Sequence, residues 1–248
     1  MRTTNLDVNV INFDDGQESL QANGFQIIKH NEWLIPSSVI RHWQALARTW
    51  DDLPVDPYMQ GGATFRQRRF GRFVLDEATG SLQRSENNTF FQGKNINTYA
   101  GGINRVFEPM HDLTYRNRFL QYVIDTSLDH LRQTFSVTSR RWDITVHQFR
   151  ILASSQQSGL PTPEGIHRDG HKFISMHLIA REAVMGGVSK IYSNDKREIA
   201  EVTLEKPMDS ILMADEVVMH AVTPVLPVSP EKAGYRDVMV IDYNLLDE

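Results

Sequence analysis

The sequence predicts a mainly β fold, a jelly-roll-like core with helices packed on one outer face. Two observations lead there. Helix-patterned segments come first in the 248 residues, and from Trp142 onward short β-rich runs follow one another, separated by turn residues. All-β chains of this length are commonly one domain, so residues 1–248 are read as a single unit.

Residues 14–22 read as a short polar helix, stopped by Asn23-Gly24. Residues 25–29 read as a strand. Residues 37–49 carry helical spacing: Ile40, Trp43, Leu46 and Ala47 share a face, and Ser37 or Ser38 can cap it. Pro54 and Pro57 close that region. Residues 65–75 alternate as a strand does. Residues 87–102 are polar, rich in Asn and Gly, and read as loop. Residues 113–135 read as a second long helix, with Leu113, Phe119, Leu120, Val123, Ile124 and Leu128 on its apolar side. The later strands fall at 142–152, 172–180, 188–192, 199–203, 210–213, 217–222 and 236–245.

Composition narrows the function. Charged residues make up 23% and hydrophobic residues 40%, as in ordinary folded proteins. A net charge of −5 argues against nucleic acid as the main partner. There is no cysteine, which excludes disulfides, thiolate metal sites and a cysteine nucleophile and fits a cytoplasmic enzyme. Residues 1–12 lack an apolar core behind a basic start, so no signal peptide is expected. No run is apolar enough for a membrane span. The oligomeric state is left open.

The segment Gly165-Ile166-His167-Arg168-Asp169-Gly170 carries the first chemical signal. On a strand, His167 and Asp169 would point to the same side. One imidazole and one carboxylate are two thirds of the facial triad of non-haem Fe(II) oxygenases. His220, in the apolar run Val217-Val218-Met219-His220-Ala221-Val222-Thr223-Pro224, is the candidate third ligand. Three ligands leave positions open for a cosubstrate and O₂, whereas a closed four-ligand set would be structural. A His-x-Asp tripeptide alone is weak, and a lone histidine among apolar residues usually completes a core. His111, His130 and His147 stand as such histidines. Order and context strengthen the set, because a specific arginine follows. Arg236 opens the apolar strand Gly234-Tyr235-Arg236-Asp237-Val238-Met239-Val240-Ile241. Facing a barrel interior it would need an anion, and its planar fork matches a carboxylate such as the distal one of 2-oxoglutarate. The alternative places it at the strand mouth, paired with Asp237 or Glu231.

On these residues the chain resembles the bacterial 2-oxoglutarate/Fe(II) dioxygenase family that includes L-isoleucine hydroxylases acting on free amino acids. His167-Arg168-Asp169 continues into Phe173-Ile174-Ser175-Met176-His177-Leu178, similar to that family's iron-binding strand. Gly186-Gly187 resembles its paired glycine, Met219-His220-Ala221-Val222-Thr223-Pro224 its distal histidine segment, and Arg236-Asp237-Val238 its cosubstrate strand. His147-Gln148-Phe149-Arg150 and Ala22-Asn23-Gly24-Phe25 also resemble it. The likeness covers most of the chain and is densest from His147 to Tyr243. It implies a double-stranded β-helix (jelly-roll, cupin-like) core, with Fe(II) on the triad and 2-oxoglutarate and O₂ as cosubstrates. It also implies hydroxylation of a C–H bond of a free L-amino acid of isoleucine, leucine or methionine type, with release of succinate and CO₂. Residues 225–234, with Pro227 and Pro230, depart from the family's pattern, which leaves the substrate side of the pocket open.

An amino acid brings a carboxylate and an ammonium. Arg66, Arg68, Phe70 and Arg72 share one face of the 65–75 strand. Arg68, Arg105 and Arg150 are the candidates for the substrate carboxylate. Phe70, with Phe73 and the Phe90/Phe91 pair, is a candidate for the apolar wall. The competing readings are a solvated basic face, an internal ion pair for Arg150 and plain core for the phenylalanines. Two other functions stay open: the same chemistry on a carrier-bound or N-acylated amino acid or a natural-product intermediate, and a non-catalytic binding module of the same fold.

Overall fold

The computed structural model describes residues 14–246. Residues 1–12, where no signal peptide is expected, lie outside them. Helix α1 (Asp14–Asn23) turns into β1 (Phe25–Ile28) through Gly24. That glycine has φ +76°, and a Cβ there would meet Val217 at 2.5 Å, so the turn admits no side chain.

The segment expected as one helix at 37–49 is broken into α2 (Ser37–Ile40), α3 (Trp43–Ala47) and a 3₁₀ turn at Arg48–Trp50. Neither serine caps it. Pro36 holds the N-cap position with no side-chain cap bond. The apolar face still works, with Trp43 and Leu46 buried and Ile40 and Ala47 packed against them. After strands β2 (Arg66–Asp76), β3 (Ser81–Arg84), β4 (Thr89–Phe91) and β5 (Asn104–Val106), the second expected helix also divides, into α4 (Asp112–Tyr115) and α5 (Arg118–Thr134). The cause is Asn117, whose side-chain oxygen accepts from Phe119 N (2.9 Å) and Leu120 N (3.3 Å) and starts a new helix. Leu113 is therefore stranded on α4, 81% exposed, rather than on the apolar side of α5.

The remaining strands are β6 (Arg141–Ala153), β7 (Phe173–Glu182), β8 (Val184–Gly186), β9 (Val188–Tyr192), β10 (Glu198–Thr203), β11 (Ser210–Ala214), β12 (Met219–Val222), β13 (Val225–Pro227) and β14 (Gly234–Leu245). The large sheet runs β1-β11-β7-β14-β6-β2-β3, and a smaller one runs β10-β9-β12. Alternation along each strand gives the large sheet two different faces. On the outer face Phe73, Ile144, Val146, Ile241 and Tyr243 pack against Trp43, Phe119, Val123 and Leu128 of the helices. On the inner face Ile174, Met176, Ile211 and Val238 meet Ile191 of β9 and Val222 of β12. No helix among the described residues is long and apolar enough to cross a membrane.

One buried histidine on the outer face gives this core a pH signature. His177 lies between Ser210 Oγ (2.8 Å) and Ser175 Oγ (2.9 Å), with its ring centroid 5.5 Å from that of Trp33. Burial pushes its pKa from 6.5 down to about 3. The unfolded chain therefore takes up a proton that the folded chain refuses. The stability His177 contributes is complete above 6.5 and is lost as pH falls from there toward 3. The stability difference between wild type and His177→Gln should shrink by about 2 kcal/mol from pH 7 to pH 5. Urea unfolding at the two pH values measures it, and an unchanged difference would mean that the folded state accommodates the charged ring.

Candidate active site

His167 precedes β7 and pairs with His220 of β12 through an isolated antiparallel bridge. His167 N donates to His220 O (3.0 Å) and His220 N to His167 O (2.9 Å). Residues so paired project to the same side, and the two imidazole centroids lie 4.4 Å apart. Asp169 does not continue that pairing as a strand would. The chain turns, with Gly170 at φ +82°. The N–H groups of Asp169 (3.1 Å), Gly170 (2.7 Å) and His171 (3.1 Å) all donate to the Asp215 carboxylate, which pins the turn. The ligand atoms of His167, Asp169 and His220 thereby fall within 4.8 Å of one another.

The donor set suits a divalent cation. His167 Nδ1 donates to Gly165 O (2.9 Å), so Nε2 is the nitrogen a metal ion would take, displacing the proton it holds toward Asp169 and Glu164 in the ion-free protein. His167 Nε2 is 3.5 Å from Asp169 Oδ1, and His220 Nε2 is 3.4 Å from Oδ2. Burial pushes the Asp169 carboxyl up, but the hydrogen bond from His167 and the neighbouring His220 hold it well below the usual carboxylate range. Burial pushes His167 down, yet Asp169 and Glu164, whose Oε1 is 3.2 Å from Nε2, lift it to about 9. Burial, with His167 alongside, drives His220 down to about 4. The acids thus call for positive charge at the point where the three ligand atoms converge.

A cavity opens on this cluster from the inner face of the large sheet. Arg236, Val238, Val240 and Asp242 alternate along β14 and line it. Arg236 is 1% exposed, and its Nε has no partner. Among the described residues its guanidinium meets no carboxylate; Met176 Sδ stands 3.7 Å from Nη2. Burial, with Arg181 nearby, pushes its pKa down to about 10. Pairing with Asp237 is ruled out, because Asp237 takes Arg150 in a fork of two 2.7 Å bonds.

That fork corrects the expectation for Arg150. On β6 the cavity takes His147, Phe149 and Ile151, and alternation sends Arg150 to the opposite face. Phe70 is also corrected. It is fully buried against Phe90, Phe107 and the His147 ring, and Phe90 lines the cavity instead. Arg72 keeps to the shared face but lies beyond the cavity, forking onto Asp143 at 2.6 Å.

Arg68 and Arg105 do reach the cavity, with Arg66 beside them. Arg68 is 3% exposed and stacks 3.5 Å over Phe107 and 4.6 Å over Phe149. It bonds His147 Nδ1 and lies 3.6 Å from Asp56, which is bonded more closely (2.8 Å) to Arg66. Burial pushes Arg68 down to about 9 despite Asp56. Arg105 donates to Gln92 Oε1 (2.6 Å), and Gln92 Nε2 donates to Asp169 O (2.8 Å). Sequence reasoning missed four residues here: His147, Glu164, Gln92 and Asp242. Period-two alternation from Phe149 and from Arg236 would have found His147 and Asp242; Gln92 follows a strand too short to show any period, and Glu164 lies in a turn.

The 2OG-Fe dioxygenase family model matches residues 47–242. The chain belongs to this family. Its cofactors are accordingly Fe(II), 2-oxoglutarate and O₂. This dioxygenase is 24% identical over 181 residues to the L-isoleucine-4-hydroxylase of Bacillus thuringiensis, spanning 72% of the chain and 75% of that protein. It is 26% identical over 208 residues to the 3(1)-hydroxy-L-isoleucine 4-dioxygenase of Pantoea ananatis, spanning 83% of the chain and 82% of that protein. Among solved structures, a bsmA homolog from Methylobium petroleophilum superposes with a TM-score of 0.84 at 26% identity, over 98% of each chain. The dioxygenase has the expected jelly-roll fold, built on a large antiparallel sheet.

Proposed function

We propose that the chain is a single-domain hydroxylase of a free L-amino acid with an aliphatic side chain. In this reading His167, Asp169 and His220 hold Fe(II), Arg236 takes the distal carboxylate of 2-oxoglutarate, and Arg68 with Arg105 takes the substrate carboxylate. The observation that carries it is the presence of two separate anion receptors in one cavity beside the triad. The buried Arg236 stands on β14, and the Arg68/Arg105 pair stands on β2 and β5. The relatives' names, both isoleucine-directed, support an aliphatic substrate, and so do Ile151, Met176 and Val222 in the wall.

When bound, the iron supplies the oxidising power, drawn from O₂ and the decarboxylation of 2-oxoglutarate. The chain's own work is placement. Arg236 orients the cosubstrate by a bidentate fork, and Gln92 ties the Asp169 backbone to the hairpin that carries Arg105. Arg68 and Arg105 present the substrate in one pose, and the apolar wall keeps water from the reacting carbon.

The test is succinate release under air with Fe(II), 2-oxoglutarate and each proteinogenic amino acid, with mass spectrometry for the gain of one oxygen. An aliphatic amino acid should gain oxygen in step with succinate. Slow background succinate with every member of the panel would remove the free amino acid as substrate class.

A further inference from the structure

We infer that Asp242 is the amine anchor of this cavity, holding the substrate's α-ammonium one imidazole ring away from Arg68, which faces its carboxylate. The inference rests on the amino-acid reading above and adds a residue and a selectivity to it.

Asp242 is 2% exposed and lines the cavity from the inner face of β14. Its Oδ2 accepts from Thr145 Oγ1 (2.8 Å) and His147 Nε2 (2.9 Å), and His171 Nε2 stands 3.4 Å away. Among the described residues no lysine or arginine pairs with it, and its Oδ1 accepts no hydrogen bond. The His147 ring does not balance its charge. Arg68 can only donate, so His147 Nδ1 accepts, and Nε2 carries the ring's proton toward Asp242. A ring held this way is neutral. A buried carboxylate that faces a cavity and takes its close hydrogen bonds from a hydroxyl and a neutral ring calls for a cation.

The spacing fits an α-amino acid. Arg68, His147 and Asp242 form one hydrogen-bonded row, running diagonally across the sheet, so a guanidinium and a carboxylate stand a single imidazole apart. The two charged groups of an amino acid sit on one carbon. With a hydrogen bond of about 3 Å at each end, they bridge such a row. Thr145 and His147 both engage Oδ2, which leaves Oδ1 for the ligand. Of the other cavity acids, Asp169 belongs to the metal set, and Glu164 lies beside that set, against the ring of His167, rather than in the row with Arg68. Asp242 is six residues beyond Arg236, roughly 20 Å along the strand. The cosubstrate clasp and the amine anchor thus occupy opposite ends of one strand, with Val238 and Val240 between them.

A consequence is that the enzyme selects the free amine. Acylation removes the charge that Asp242 balances and adds bulk against Thr145 and His147. The experiment compares three compounds on the iron-loaded enzyme: the amino acid that the panel selects, the same acid lacking its amine, and its N-acetyl derivative. Wild type should favour the amino acid over the amine-free acid by about 100-fold or more in kcat/KM and should not turn over the N-acetyl form. In Asp242→Asn that preference should collapse to within about threefold, chiefly through a raised KM for the amino acid. Asp242→Ala serves the same purpose if the asparagine variant does not fold. A preference that survives both substitutions, or equal losses for both compounds, overturns the anchor and leaves the amino-acid reading standing. A wild type that accepts the N-acetyl form equally well also overturns it. A wild type that turns over no free amino acid overturns both.

Discussion

Arg236→Met is expected to stabilise the ligand-free protein while removing its hold on 2-oxoglutarate. The guanidinium is 1% exposed, stands near Arg181 and has no carboxylate partner among the described residues. Replacing such a charge with an apolar side chain of similar length should raise stability by about 1–4 kcal/mol. The same change removes one half of a buried ion pair in the cosubstrate complex, which costs about 2–5 kcal/mol, or roughly 30-fold to several thousand-fold in affinity. Urea unfolding without ligand reads the first effect. Thermal shift with 2-oxoglutarate reads the second: at 100 times Kd the ligand adds about 2.7 kcal/mol to wild type, and at that concentration the variant should gain almost nothing. A variant that is less stable when empty and has an unchanged KM for 2-oxoglutarate would make Arg236 a structural residue.

Asp169→Ala should abolish iron binding and lower succinate production by roughly 1,000-fold or more, as expected when several kcal/mol of metal stabilisation is lost. His167→Ala and His220→Ala should behave alike. The aspartate is the anionic member of the set, and it lies within 3.5 Å of both ring nitrogens. Without it, two imidazoles and Glu164 remain. Metal content after desalting, measured beside turnover, separates lost iron from lost chemistry. An Asp169→Ala enzyme that retains iron and full turnover would sink the assignment of the metal centre.

The outline of this fold was legible where period and length were strong. Strands β6, β7, β9, β11 and β14 lie within a residue or two of where the β-rich runs between turn residues put them. The helices were harder, because helical spacing does not reveal a cap in mid-segment. Asn117 looks like an ordinary helix-face residue until its side chain is seen to accept from two backbone amides. Strands β3, β4, β5, β8 and β13 run three or four residues, too few for a period to register. His220 and Arg236 stood out as polar side chains in apolar runs, and His167 and Asp169 as an imidazole and a carboxylate two residues apart. Arg150 was misassigned, since a sequence does not say which face of a strand carries the cavity. Once Arg236 is known to face inward, Asp242 follows by counting in twos, and Arg150 is excluded by its fork with Asp237.

The Asp215 clamp has a consequence for how the enzyme meets its metal. Three consecutive amides are held by a side chain that is itself no member of the metal set. The turn bearing Asp169 is therefore rigid before any ion arrives, and its shape does not depend on the ion for support. Such a centre behaves as a socket rather than a keystone. Chelation should empty it and added Fe(II) should refill it at the pace of ion diffusion and ligand exchange, with no refolding step between.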